Sequence, residues 1–313
     1  MTNWRYLYSD VVIASSFPFP ELEATASGLE DAVELVLGDG LFVAPNAAVD
    51  REWRMPDGSL WTTFQRVGED WFVDFPEYAG FLVAGTGGGV SCFPAVGAAM
   101  STVRHLLLNQ ILPLVMSARG RHTFHASAVE VNELAAVFSG ASGKGKSTLA
   151  LHFARSGDRF LSDDLVVFEK AAEGWQVLPS YPSLRVCKDS LEQAGAENLV
   201  VTPSAEYSEK ARVPAGEGVG FQNRRVRLGA MYFLGEDTTA VKIRPVAGAG
   251  SIVELVRSSF MLDTTRRSYL KSHLDWAAEL AETGRLFRLD YPRDFGRLVE
   301  TRAAIDAHMR RLD

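Results

Sequence analysis

Residues 140 to 148 read GASGKGKST and satisfy the pattern G-x-x-x-x-G-K-[ST]. Glycines in such a loop let backbone N–H groups turn inward around phosphate oxygens, and a following helix adds its partial positive charge. Lys146 would then reach the β- and γ-phosphates, while Ser147 would offer its hydroxyl to Mg²⁺. An apolar run precedes the loop and a helical pattern follows it, which is the context that such a site requires.

The whole segment from 140 to 148, called the phosphate loop below, is therefore the candidate site for ATP. We expect it to contact phosphate through Gly140, Ala141, Ser142, Gly143, Lys144, Gly145, Lys146, Ser147 and Thr148. Lys144 has two interpretations, since its side chain could touch phosphate or remain solvated. A chance glycine-rich turn is the alternative for the segment as a whole.

Two adjacent carboxylates, Asp163 and Asp164, follow the loop after one predicted helix and one short predicted strand. In a parallel sheet the end of that strand would lie beside the bound phosphates. One carboxylate could hold Mg²⁺ while the other accepts a proton from an attacking hydroxyl. The alternative is a solvated turn.

Composition limits the classes of protein that fit. With 313 residues, 47% of them hydrophobic and 23% charged, the chain is long enough for two globular domains. A formal charge of -7 gives no overall signature for nucleic acid or for an anionic membrane. Its two cysteines, Cys92 and Cys187, lack the spacing of a zinc site. No apolar run is long enough to span a bilayer, so we expect a cytoplasmic protein.

Short alternating apolar runs between residues 6 and 93 predict a β-rich first domain, assigned to residues 1–104. The GTGGG run at 85 to 89 is interpreted as a hairpin, because Val90 to Phe93 reads as another strand. A leucine-rich helix is expected from Ala98 to Ser117. Residues 105–313 are assigned to an α/β domain that carries the phosphate loop.

The α/β domain is expected to place a strand, the phosphate loop and a helix in succession. Strands are predicted at 125–131 and 134–139 with Asn132-Glu133 as their turn, then a helix from Lys146 to Ser156. Ser251 and Glu254 fit a capping box ahead of a later helix. A C-terminal apolar stripe comprises Phe295, Leu298, Ile305, Met309 and Leu312.

Three motifs together resemble a known family, the HPr kinase/phosphorylase-like P-loop kinases, which are structurally allied to phosphoenolpyruvate carboxykinases. They are FHASAVEV at 124–131, VFSGASGKGKSTLA at 137–150 and DRFLSDDLVVF at 158–168. The resemblance implies an α/β P-loop kinase domain of this type, preceded here by the β-rich domain, with ATP and Mg²⁺ as cofactors.

The resemblance also implies roles for individual residues. Asp163 would be the base for a serine hydroxyl, Asp164 would support Mg²⁺ together with Ser147, and His125 would lie near the reacting phosphoryl group. Without the family, a histidine at this place in a strand is more often a hydrogen-bonded structural residue than a catalyst.

Basic residues downstream of the aspartates are weaker candidates. Arg185 lies in a Pro-then-Arg segment that is similar to one in kinases of this family, where an arginine can support phosphate or substrate. An exposed arginine is the alternative. Lys210 and Arg212 lie in a segment that reads as a loop, where they either steer phosphate or belong to the solvated surface. The E-I-R-G-L-G signature of the HPr-specific enzymes does not occur, which argues against HPr as acceptor and against the reverse reaction.

The chain looks most similar to shorter HPr-kinase-related proteins, some of which modify precursors of lasso peptides and other ribosomally made peptides. This similarity implies an ATP-dependent kinase acting on a serine of a precursor peptide, and a homo-oligomer is among the expected partners. Two other classes stay open: a kinase of a free amino acid or small metabolite, and a non-catalytic nucleotide-binding regulator.

Overall fold

The computed structural model describes residues 4–26, 28, 30–40, 48–55, 57–195, 199 and 201–312. Within this part of the chain the fold is mixed α/β and rich in sheet, and it divides into two compact units. The first comprises Met1–Gly120 with Ala205–Tyr207, and the second comprises Arg121–Ser204 with Ser208–Asp313. The domain boundary expected after residue 104 stays a prediction.

The described residues of the first unit form a sheet of nine strands in the order β3-β1-β2-β4-β9-β8-β7-β6-β5. Side chains alternate between its faces, so that Tyr6 and Tyr8 are buried while Arg5 and Leu7 are exposed. Its strands are β1 (Trp4–Tyr8), β2 (Val11–Ser15), β3 (Glu23–Ala24), β4 (Val33–Leu37), β5 (Val49–Arg54), β6 (Leu60–Val67), β7 (Asp70–Phe75), β8 (Ala79–Val83) and β9 (Gly89–Pro94).

The predicted leucine-rich helix is present but interrupted. It consists of α1 (Met100–Leu106), a π-helical turn (Leu107–Ile111) and α2 (Leu112–Ala118). Pro113 has no N–H to donate to the carbonyl four residues earlier, and the helix widens immediately before it. The sequence located the helix and did not predict the π turn.

The second unit contains the remaining elements in its described residues. Its strands are β10 (His122–Phe124), β11 (Ala126–Val131), β12 (Leu134–Ser139), β13 (Arg159–Ser162), β14 (Val166–Ala171), β15 (Gly174–Leu178), β16 (Ser183–Val186), β17 (Thr202–Ala205), β18 (Ser208–Pro214), β19 (Gly220–Phe221), β20 (Val226–Asp237), β21 (Lys242–Pro245) and β22 (Leu286–Tyr291). Its helices are α3 (Lys146–Arg155), α4 (Lys188–Gln193), α5 (Ala249–Ser258), α6 (Arg267–Glu282) and α7 (Leu298–Met309), with a 3-10 helix at Phe295–Arg297.

Strand β12 lies at the centre of the main sheet of this unit. It pairs antiparallel with β11 and parallel with β20, which in turn runs parallel to β22. Because side chains alternate along β12, Phe138 packs in a core with α3 and α7, whereas Val137 packs in a second core with α5 and α6. Both faces are thus covered, and the carboxyl end of β12 opens into the phosphate loop.

Both predicted hairpins are confirmed. Asn132 and Glu133 have φ values of 50° and 63° and form a two-residue turn between β11 and β12, although neither is glycine. The GTGGG segment connects β8 to β9, which pair antiparallel. Both segments therefore connect neighbouring antiparallel strands, as predicted.

Two details of the predicted helices are wrong. Helix α5 begins at Ala249, so Ser251 lies inside its first turn and donates to the Gly248 carbonyl at 2.6 Å rather than capping the helix. Helix α7 begins at Leu298, so Phe295 lies outside it and keeps 36% of its surface exposed. No helix in the described ranges has the length and apolarity needed to cross a membrane.

Candidate phosphate-binding site

The phosphate loop connects β12 to α3 and depends on glycine for its shape. Gly145 precedes the helix with φ at +94°, and a Cβ on this residue would overlap the Tyr291 hydroxyl. Tyr291 Oη donates a hydrogen bond to the Lys144 carbonyl at 2.9 Å. The last residue of β22 therefore supports the loop from behind, a contact that the sequence analysis did not anticipate.

The N-terminus of α3 offers backbone donors to an anion. The first residues of a helix have N–H groups without partners in the helix, and the helix dipole places partial positive charge there. The first turn of α3 contains Lys146, Ser147 and Thr148 and no acidic residue. Together with the glycine loop, this turn provides the groups expected of a phosphate site.

Lys146 is buried, with 6% of its surface exposed. Its Nζ donates to the carbonyls of Gly140 at 2.8 Å and Ala141 at 3.3 Å. Burial lowers the pKa of Lys146, and the nearby Asp164 only partly opposes this effect. A bound phosphate would stabilise the ammonium, so the side chain is suited to balance anionic charge at this end of the loop.

Asp163 accepts three hydrogen bonds. Its Oδ1 receives the hydroxyls of Ser127 at 2.5 Å and Ser147 at 2.8 Å, and its Oδ2 receives the backbone N–H of Arg185 at 2.7 Å. Burial and the charge of Asp164 raise the pKa of Asp163 despite these donors. The carboxylate is thus fixed directly beside the loop hydroxyl that was predicted to meet Mg²⁺.

Asp164 has a different environment. Its backbone adopts the left-handed conformation with φ at 63°, and its Oδ2 receives Arg185 Nη1 at 2.5 Å. Burial would raise the pKa of Asp164, but Arg185 and His125 lower it by more, so the net direction is downward. Both aspartates are at most 3% exposed, which excludes the solvated turn.

His125 lies just before β11, and its backbone N–H donates to the Ser258 carbonyl at 2.7 Å. Its Nδ1 is 3.2 Å from the Asp164 carbonyl and must be the donor, because a carbonyl only accepts. Burial and the charge of Lys146 lower the pKa of His125 to about 4. The imidazole is therefore neutral near pH 7, with its proton on Nδ1.

A row of basic residues runs along β16 and β18. Arg185 and Arg212 face each other across the strand pair and are 8% and 7% exposed, so the exposed-arginine and solvated-surface alternatives are wrong for them. Lys210 lies two residues before Arg212 on the same face of β18, a strand where a loop was expected. Its charge acts on both aspartates and on Lys146.

Two cavities adjoin the phosphate loop. The helix-side cavity, of 240 Å³, is lined by the start of α3 and by Arg185, Asp189, Lys210 and Phe295. The histidine-side cavity, of 360 Å³, is lined by His125, Gly140, Lys144, Arg257 and Arg288 among others. Lys144 thus faces away from the helix-side cavity, with its Nζ 3.5 Å from the Gly235 carbonyl.

Among the described residues, no group of three or more His, Cys, Asp or Glu side chains could hold a metal. Mg²⁺ commonly uses one or two protein oxygens and completes its shell with phosphate and water. The Ser147 hydroxyl and the Asp163 carboxylate, 2.8 Å apart, fit that requirement.

The structure brings most of the predicted residues into one site. Lys146, Ser147, Asp163, Asp164 and Arg185 belong to a single connected network. Sequence reasoning missed the contributions of Ser127 and Tyr291. A serine inside the otherwise apolar start of β11 could have indicated that Ser127 has a buried hydrogen-bond partner. No feature of the sequence around Tyr291 predicts its contact with the phosphate loop.

Comparisons with known proteins give little further information. No protein-family model matches the chain. No curated protein matches it either. Among solved structures, the Hpr(Ser) kinase/phosphatase from Coxiella burnetii is similar over 60% of this chain and 94% of that chain, with 11% identity and a TM-score of 0.30. A similarity this low does not establish membership of the family.

Proposed function

We propose that this protein is an ATP-dependent kinase that transfers the γ-phosphoryl group to a serine hydroxyl. The observation that carries the proposal is the hydrogen bond from Ser147 Oγ to Asp163 Oδ1 at 2.8 Å. It joins the phosphate-loop serine to a downstream aspartate, and such a pair holds Mg²⁺ beside the nucleotide in P-loop enzymes. The buried Lys146 ammonium adds the positive charge that the β- and γ-phosphates need.

The contacts support a division of roles between the aspartates opposite to the one implied by the resemblance. We assign Asp163 with Ser147 to Mg²⁺, because the two side chains already share a hydrogen bond. When bound, the metal would neutralise charge on the phosphate oxygens. We assign Asp164 to the acceptor, because its Oδ1 lies 3.9 Å from His125 Nδ1 and its charge acts on Lys146 more strongly than that of Asp163.

In the proposed reaction the serine oxygen forms a bond to the γ-phosphorus while the bond from that phosphorus to the β-bridging oxygen breaks. The products are phosphoserine and ADP, and the hydroxyl proton passes to the Asp164 carboxylate. Arg185 keeps the pKa of Asp164 low, so this residue first orients the hydroxyl and accepts its proton only as the new bond forms. Lys146 and the loop amides offset the charge on the transferred group.

His125 is proposed as a positioning residue in this reaction. Its Nδ1–H donates a hydrogen bond to the backbone carbonyl of Asp164. Asp164 has a backbone conformation that non-glycine residues rarely adopt, and this bond supports it. The neutral ring contributes no charge. Its role is to fix the backbone of Asp164, and so the position of the carboxylate that meets the acceptor.

The test of this function is phosphoryl transfer from Mg-ATP to a serine-containing peptide, followed by mass spectrometry and ADP release. Lys146→Ala should lower turnover by about a hundredfold or more, because it removes a charge that stabilises the transition state. Lys170→Ala is the matched control, since this lysine is exposed and pairs with Glu279. Full turnover by Lys146→Ala would refute the kinase assignment.

A peptide acceptor is the finer part of the proposal. The resemblance of the three motifs to those of peptide-modifying kinases supports a peptide acceptor, and an extended peptide can bind by pairing its backbone with an exposed sheet edge. The histidine-side cavity of 360 Å³ favours a second candidate, a small hydroxyl metabolite. Peptide, free serine and HPr offered together would distinguish the acceptors, and phosphate on free serine alone would exclude the peptide.

A further inference from the structure

We propose that the nucleotide base stacks on Phe295 in the helix-side cavity, a binding subsite that deepens the proposed function and rests on it. The cavity has a volume of 240 Å³ and extends from Gly145 and Thr148 to α4 and to the Phe295 ring. The occupant is a nucleoside triphosphate, whose phosphates lie on the loop and whose base lies on the ring.

The direction of the phosphate chain follows from Lys146. This residue reaches the β- and γ-phosphates in loops of this pattern, and its Nζ lies at the Gly140 and Ala141 carbonyls. That end of the loop is therefore the γ end. Thr148, two residues into α3, marks the other end, where the α-phosphate and the nucleoside begin.

The nucleoside end of the loop faces a cleft with two walls. On one side Thr148 Oγ1 and Ser190 Oγ of α4 are 2.9 Å apart, which fixes α4 against the helix N-terminus. On the other side lies Phe295, and both Phe295 and Asp189 of α4 line the same cavity. An exposed carboxylate at this position can accept hydrogen bonds from ribose hydroxyls.

The position of Phe295 is held by its neighbours. Asp294 Oδ1 accepts the Gly296 N–H at 2.8 Å, and the Arg297 guanidinium donates to the Thr239 carbonyl at 2.9 Å. The short 3-10 helix thus presents a ring with 36% of its surface exposed. The sequence suggested that this ring belonged to an apolar helix stripe, but the structure gives it no place in the α7 core.

Stacking on an aromatic ring uses the face that every base has, so Phe295 alone does not choose between ATP and GTP. The ring does distinguish a ligand that carries a base from a ligand that consists of the phosphate chain alone. Removal of the ring should weaken nucleotide binding and leave binding of the phosphate chain unchanged. A merely structural phenylalanine would affect both equally.

The experiment is isothermal titration of the whole protein with Mg-ATP and with Mg-tripolyphosphate, which has no base. Phe295→Ala should raise the Kd for ATP by roughly 5- to 150-fold, the usual effect of losing one base-aromatic stack. The Kd for tripolyphosphate should stay unchanged. Phe295→Tyr should restore ATP binding, and Val299→Ala, at a residue that is 66% exposed, is the control on the neighbouring helix.

Equal weakening of both ligands by Phe295→Ala, or no effect on ATP, would overturn the subsite. These outcomes differ from failure of the proposed function, in which the unaltered protein would bind Mg-ATP without transferring phosphate, or would bind neither ligand.

Discussion

The Tyr291 hydroxyl donates to the Lys144 carbonyl at 2.9 Å and so connects the end of β22 to the middle of the phosphate loop. The two residues are 147 positions apart in the chain. A loop that must present several N–H groups to one anion benefits from such support, because ordering the loop before binding lowers the entropy lost on binding.

Tyr291→Phe should therefore weaken Mg-ATP binding while keeping the fold. Loss of one hydrogen bond is worth about 1 kcal/mol, or roughly a fivefold rise in Kd. Calorimetric titration measures this effect. Tyr232→Phe is the matched control, since that hydroxyl contacts His308 Nδ1 at 2.8 Å, and it should leave the Kd for ATP unchanged. Equal effects of the two changes on binding would mean that Tyr291 does not support the loop.

Isosteric substitution of Asp163 and of Asp164 should have different effects on Mg²⁺-dependent binding and on phosphoryl transfer. Asp163→Asn should raise the Mg²⁺ concentration needed for ATP binding by roughly 10- to 100-fold, since it alters the residue beside Ser147. Asp164→Asn should bind Mg-ATP normally and lose transfer. Titrations of ATP at several Mg²⁺ concentrations, combined with turnover assays, measure both effects. The reverse pattern would restore the division of roles implied by the family resemblance.

Stability should fall in mild acid because the pKa of His122 is lowered in the folded protein. Burial and the neighbouring His273 and Arg121 lower the pKa of His122 to about 3, whereas the unfolded chain retains the ordinary value of 6.5. Between these limits the unfolded state binds more protons, so the free energy of unfolding decreases as pH drops below about 6.5. The contribution of His122 is at most about 1.4 kcal/mol per pH unit.

Urea unfolding at pH 7.5 and pH 5 tests this expectation. His122→Phe keeps an aromatic ring against Trp276, whose centroid lies 4.2 Å from that of His122, and removes the titrating group. The variant should lose less stability between the two pH values than the unaltered protein. An unchanged pH dependence would show that His122 does not take up a proton on unfolding.

Cys187 provides a chemical probe of the helix-side cavity. It is exposed and lines that cavity, whereas Cys92 is buried and burial raises its pKa to about 12. Iodoacetamide should label Cys187 alone, and Mg-ATP should slow the labelling severalfold, as measured by mass spectrometry. Labelling that proceeds at the same rate with saturating Mg-ATP would place the nucleotide elsewhere.

The sequence by itself determined the local elements of the site. The phosphate loop, helix α3 and the β11–β12 hairpin lie where the pattern of residues predicted them. These features follow from backbone preferences over a few residues, such as the left-handed φ of +94° at Gly145. Such preferences act within the segment and need no distant partner.

Only the tertiary structure decided which side chains meet. Ser127 and Asp163 are 36 residues apart, and the hydrogen bond between them depends on the antiparallel pairing of β11 with β13. Phe295 was expected in a helix stripe and Arg212 in a loop, but packing exposed the first and buried the second. The types of the residues made both aspartates candidates, whereas their roles depend on neighbours that long-range packing supplies.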